Sequence, residues 1–171
     1  MDFQAIIDHL RAVNAPGVIR AEEPRPANKK EKDPGRVGDS YILIEAASIT
    51  EFLRVCKTDG KLAFELLIDI SANDPAVDSE DLWIVGNLFS IEHRHRLAFK
   101  AILPKSAPSL PTSVPIYRAA QWHERECAEM YGITFEGHPD PRNILLPDDW
   151  VGYPLRKDYV FPTEYHGVSC E

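Results

Sequence analysis

The sequence is poor in cysteine, has no long apolar run and carries no excess of positive charge. Its three cysteines, Cys56, Cys127 and Cys170, stand far apart with no C-x-x-C spacing. That argues against a disulfide framework, a zinc ribbon or a self-contained iron–sulfur site, and it suits a reducing cytoplasm. The longest apolar stretches, such as residues 41–44 and 82–85, fall far short of the ~20 residues of a membrane-spanning helix. The opening Met1-Asp2-Phe3 has neither a basic leader nor an apolar export segment. Lys and Arg number 19 against 27 Asp and Glu, a formal charge of −8, so broad contact with nucleic acid or anionic lipid is not expected. A Gly-rich phosphate loop, a Walker pattern and a G-x-S-x-G elbow are also missing.

What is present is a chain of 171 residues, 44% apolar and 27% charged, enough for one globular domain with a real core. Phe3, Ile6, Ile7, Leu10 and Val13 recur at helical spacing after a capping Asp2, and Pro16-Gly17 follow the end. Residues 20–40 lose all periodicity and read as a solvated loop of mixed charge. Tyr41-Ile42-Leu43-Ile44 reads as a short strand. Ser48-Ile49-Thr50-Glu51 reads as a capping box that opens a helix bearing Phe52, Leu53 and Cys56 and ending near Gly60. Leu62, Phe64, Leu66, Ile68 and Ile70 alternate with Glu65 and Asp69 among the residues between them, which predicts a half-buried strand with all five on its buried face. Residues 82–89 and 94–103 predict two more strands joined by a tight reversal, with Leu97, Phe99, Ala101 and Leu103 sharing a side. Short connections favour antiparallel neighbours. The fold class expected is therefore α+β: a small, mostly antiparallel sheet packed with helices, plus an extended C-terminal tail.

Pro104, Pro108, Pro111 and Pro115 exclude regular structure before a helix over residues 116–131, which Gly132 can end. That helix has Ile116, Ala119, Ala120, Cys127, Met130 and Tyr131 on one face, and Arg118, Gln121, Arg125 and Glu129 on the other. Residues 132–171 hold five prolines, four glycines and six of the sixteen aromatics. Such a segment cannot fold on itself, so it lies over its own domain or against a partner, and its length favours a partner. The chain thus divides into an α+β domain, residues 1–131, and a partner-docking tail, residues 132–171.

For chemistry, His93, His95, His123 and Glu126 are the residues that a stand-alone metal-dependent hydrolase would use, but H-E-x-x-H is not completed. Cys127 lies one helical turn from His123 on the apolar side and reads as an inert small hydrophobe rather than a nucleophile. Arg125 and Glu129, at i and i+4, have the spacing of a weak surface pair. Charged groups interleaved with Trp122, Trp150, Leu155 and Tyr159 have instead the composition of an interface.

Glu124-Arg125-Glu126-x-x-Glu129-x-Tyr131-Gly132-Ile133 followed by Phe135-Glu136-Gly137-His138-Pro139-Asp140 resembles the signature of the 30 kDa (C) subunit family of NADH–quinone oxidoreductase, respiratory complex I. The likeness continues through Arg142-Asn143-Ile144-Leu145, Trp150 and Gly152-Tyr153-Pro154-Leu155-Arg156-Lys157-Asp158-Tyr159. Asn143 departs from the pattern, standing where Arg is common. The resemblance implies a peripheral-arm subunit that docks on the quinone-site (D) subunit at the cytoplasmic face of the inner membrane, touching the membrane only through the complex. It implies a non-catalytic chain without a cofactor of its own, inside an assembly that uses NADH, FMN, iron–sulfur clusters and quinone. The same resemblance admits the equivalent subunit of a membrane-bound hydrogenase or another donor–quinone oxidoreductase. The residues it implies for partner binding are Trp122, Glu124, Arg125, Glu126, Glu129, Pro139, Asp140, Arg142, Trp150, Leu155, Arg156, Lys157, Asp158 and Tyr159. Among them the run from Leu155 to Tyr159 is the expected anchor.

Overall fold

The first helix, α1 (Phe3–Ala12), starts where Asp2 can accept the Ala5 N–H at 2.8 Å and turns Ile6, Ile7 and Leu10 inward. Val13 falls just past its end and is partly exposed, so it does not extend the apolar stripe. The computed structural model describes residues 1–23 and 40–169. Most of the stretch read as a loop over residues 20–40, and Cys170, therefore lie outside the described residues. The start of that stretch corrects the reading: Arg20, Ala21 and Glu22 belong to a strand, β1 (Val18–Glu22). It pairs antiparallel with β2 (Tyr41–Ile44), where the Tyr41 hydroxyl donates to Glu22 at 2.6 Å.

A 3-10 turn at Ala46–Ser48 leads directly into α2 (Ile49–Thr58). The expected capping box does not form. Ser48 already has near-helical backbone and donates its hydroxyl to Glu45, so its oxygen does not cap the α2 amides. Asp59 ends the helix, accepts the Lys61 and Leu62 N–H groups and meets the His9 ring of α1 at 2.9 Å, tying both helices together.

Three long strands follow: β3 (Leu66–Asn73), β4 (Asp81–Phe89) and β5 (Arg96–Pro104). The five-stranded sheet runs β1-β2-β5-β4-β3, antiparallel throughout except for β2 and β5, which are parallel with Ile44 opposite Ala101. Its inner face and the two helices share one core, with Ile42, Ile44, Leu82, Ile84, Leu97, Phe99 and Leu103 buried. Gly86 faces the Phe99 ring so closely that a Cβ there would overlap the ring edge.

The face predicted for the third strand is only half right. Leu62 and Phe64 are buried, but they precede the strand, and a bulge between Leu67 and Asp69 shifts its phase. Within the strand Leu67, Ile70 and Ala72 point inward, the bulge accounting for the three-residue step from Leu67 to Ile70, and Leu66 and Ile68 are exposed. Proline did not exclude regular structure either: β6 (Ser109–Pro111) pairs in parallel with β7 (Thr134–Glu136). The short pairing suits proline because only a few ladder bonds are needed.

Candidate functional site

The helix before the tail, α3 (Ala120–Tyr131), begins later than periodicity suggested, because residues 113–119 make successive turns before it. It lies against β3, with the Cys127 thiol 3.8 Å from the Ile70 carbonyl. Gly132 adopts the left-handed conformation at its C-terminus (φ +70°) and donates back to Ala128.

Two of the four residues read as the polar side of this helix, Arg125 and Glu129, are buried, which corrects their expected surface pair. Arg125 donates from Nε to the Arg142 carbonyl at 2.7 Å and from Nη2 to the Asn143 carbonyl at 2.9 Å. Its remaining nitrogen is 3.5 Å from Asp140, and the guanidinium covers the Trp122 ring. Glu129 accepts the N–H groups of Ile144, Leu145 and Leu146 at 3.0–3.2 Å. One helix turn earlier, Glu124 is fully buried and accepts the Thr112 hydroxyl and the Ser113 N–H. Burial pushes the Glu124 carboxyl above its ordinary value, and those two hydrogen bonds only partly oppose it. Irregular backbone has no ladder to satisfy it. Here a planar cation serves two tail carbonyls and a carboxylate serves three successive tail amides.

Further along, Asp140 forms a two-bond pair with Arg142 at 2.7 and 2.9 Å, and this pair holds its pKa at about 2. His138 reaches the Gln121 carbonyl at 3.1 Å. Trp122, Glu126 and Pro139 stand exposed on the outer side. Trp150 is half-buried beside Tyr165, and its Nε1 has no hydrogen-bond partner among the described residues.

The run from Leu155 to Tyr159 is also engaged within the chain. Leu155 N–H donates to Met130, and Arg156 Nε donates to the Tyr131 carbonyl at 2.6 Å with its guanidinium over the Tyr153 ring. Lys157 N–H donates to Asp74 at 2.8 Å, and Asp158 lies 3.5 Å from Lys105. The Tyr159 hydroxyl donates to the Val151 carbonyl. Fixed in this way, the tail leaves Leu145, Val151, Tyr153, Leu155, Val160 and Phe161 between 41% and 85% exposed. Sequence reasoning missed Asp74, Lys105 and Thr112. Each is an isolated polar residue outside any periodic pattern, and only the third dimension brings it to the tail.

The metal-ligand set is not assembled. His95 is buried, bonded to the Leu62 carbonyl at 2.7 Å, with its ring tilted against that of Phe64. His93 meets the Gly60 carbonyl at 3.0 Å, and His123 and Glu126 belong to α3. Among the described residues, His, Cys, Asp and Glu nowhere gather in a group of three that could hold a metal ion. Burial, aided by Glu126 and Glu124, pushes the Cys127 thiol up to about 12, so it stays protonated near neutral pH.

Residues 42–165 match the family model of the respiratory-chain NADH dehydrogenase 30 kDa subunit. The chain belongs to this family. Relatives named as the C subunit of NADH-quinone oxidoreductase include one from Chloroherpeton thalassium, 45% identical over 66% of this chain and 47% of its own length. The one from Nocardioides sp. is 32% identical over 96% of this chain and 65% of its own, and that from Chlorobium phaeobacteroides is 36% identical over 78% and 88%. The chain thus spans about half to two thirds of the length of the first two. A trypsin-resistant fragment of Nqo5 superposes with a TM-score of 0.59 at 25% identity, covering 82% of this chain and 99% of the fragment. A chain of an archaeal membrane-bound sulfane sulfur reductase shares the fold, with a TM-score of 0.61 at 24% identity over 92% of this chain and 85% of its own.

Proposed function

We propose that this member of the 30 kDa family is the C subunit of an NADH–quinone oxidoreductase, a scaffold of the peripheral arm that docks on the quinone-site (D) subunit. The observation that carries this reading is the tail. Its backbone is held by buried charged groups of α3, and its outer side presents Val151, Tyr153, Leu155, Val160 and Phe161 to solvent. Large apolar groups displayed on a fixed backbone are costly in water and suit a surface that a partner covers. Trp122 and Glu126 on α3, and Pro139, Lys157 and Asp158 in the tail, are exposed as well and are proposed to join in the contact.

In this role the chain carries no redox group itself; NADH, FMN, iron–sulfur clusters and quinone belong to neighbouring subunits. The reading draws support from the buried thiols, held protonated, and from histidines bonded to backbone carbonyls. Contact with the membrane, at its cytoplasmic face, is through the assembly; among the described residues no helix is long and apolar enough to cross it.

Co-expression with the quinone-site subunit from the same source tests the proposal. A tagged chain is expected to co-purify that subunit at 1:1 stoichiometry, and Val160→Asp with Phe161→Ser to lower recovery at least tenfold while the chain keeps its melting temperature. Absence of co-purification, or full recovery with the double variant, would overturn it.

A further inference from the structure

Asp74 directly follows β3, and its side chain is fully shielded from solvent. Lys105 directly follows β5 and lies beside it, Nζ to Oδ2 at 2.7 Å, with the lysine side chain only 10% exposed. The same Oδ2 accepts the Lys157 N–H at 2.8 Å, and Lys105 also faces Asp158 of the tail at 3.5 Å. Asp74 Oδ1 has no hydrogen-bond partner among the described residues. Burial raises the Asp74 carboxyl, but Lys105, the Lys157 amide and the charge of Arg156 outweigh it and hold the pKa below its ordinary value. An ionised carboxylate is thus kept in a nearly dry site, with one oxygen committed to both a lysine and a tail amide. A buried pair of this kind is weak as a stabiliser, because desolvation offsets most of its attraction. Its value lies in fixing a geometry.

We propose that the Asp74–Lys105 pair is a latch that sets the position of residues 155–158 and so pre-shapes the tail surface that a partner covers. The pair sits on two strand ends of the rigid sheet, so it gives the tail a reference point that the tail cannot make for itself. The latch joins Leu155 on Met130 and Arg156 on Tyr131, which tie the same four residues to the end of α3. Without it the tail stays attached at α3 but samples other positions, and a partner must then order it on binding. The proposal rests on the partner role given above, yet its core can be read in the free chain.

The test replaces both members by apolar residues of similar size, Asp74→Leu with Lys105→Met, which strands no charge. Asp74→Asn is the conservative control, because its amide oxygen can still accept the Lys157 N–H. Native-state amide exchange of the full chain is expected to show Lys157 at least tenfold less protected in the double variant and much nearer wild type in Asp74→Asn. Amides of β4 and β5 should be unchanged. Trypsin should cut after Arg156 and Lys157 about tenfold faster in the double variant. Unchanged Lys157 protection would overturn the latch, as would a parallel loss in β4 and β5, which would make the pair a brace of the sheet. If the wild type fails to bind the quinone-site subunit, the partner reading falls and the exchange result still decides the latch. If it binds, the double variant should bind at least tenfold more weakly.

Discussion

The His95 ring is buried between Phe64 and the Leu62 carbonyl, and burial is the main reason its pKa lies below the ordinary histidine value; His93 and the N-terminal amine add to the effect, and the Leu62 bond and Glu65 oppose it. The unfolded chain therefore binds a proton at higher pH than the folded one. Stability is full above about pH 6.5 and falls as pH drops from there toward the folded value. Melting temperatures between pH 7.5 and 5.5 are expected to decline in the wild type and to decline less in His95→Gln, whose amide can still donate to Leu62. Equal slopes would show that other groups carry the acid sensitivity. This residue marks one limit of sequence reading. His-Arg-His-Arg looks solvated, but the turn leading into β5 puts His95, like Leu97, on the inner side and leaves Arg94 and Arg96 outside. Arg125 and Glu129 mark another, since helical periodicity sorts residues by polarity and cannot foresee irregular backbone arriving to use that polarity.

Elements rich in apolar residues were legible: α1, α2, β4, β5 and the existence of α3 follow from apolar runs and repeats, although the capping box read at the start of α2 does not form. Those formed by pairing with a neighbour were not. β1 carries Arg20 and Glu22 without alternation and is a strand because β2 supplies its ladder. The phase of β3 depends on a bulge that no composition announces. The family motif located the α3–tail junction but not its sense, for Glu124, Arg125 and Glu129 turn inward to the chain itself. From this follows a prediction for the element. Glu129→Ala strands the amides of residues 144–146 and should weaken tail attachment by about 1–3 kcal/mol. Trypsin is then expected to cut after Arg142 faster, with the far-ultraviolet circular dichroism of the sheet and helices retained. Unaltered cleavage would show that Arg125 alone holds the segment.

For the whole molecule, a net charge of −8 opposes approach to an acidic bilayer. In a sedimentation assay with vesicles rich in anionic lipid at physiological salt, the free chain is expected to remain in the supernatant. Co-sedimentation would mean that the exposed tail residues insert in lipid and that the membrane contact is direct. The parallel contact of β2 with β5 has a consequence for how the protein is made. On the ribosome β2 emerges well before its neighbour, with α2, β3 and β4 all translated in between. At ~5–20 residues per second this leaves Ile42 and Ile44 without their β5 partner for a time on the order of seconds. The β3-β4-β5 meander can close from local reversals, but β2, and β1 with it, must wait and then dock onto a finished edge. The nascent N-terminal part is therefore the portion of this chain that a chaperone has reason to hold.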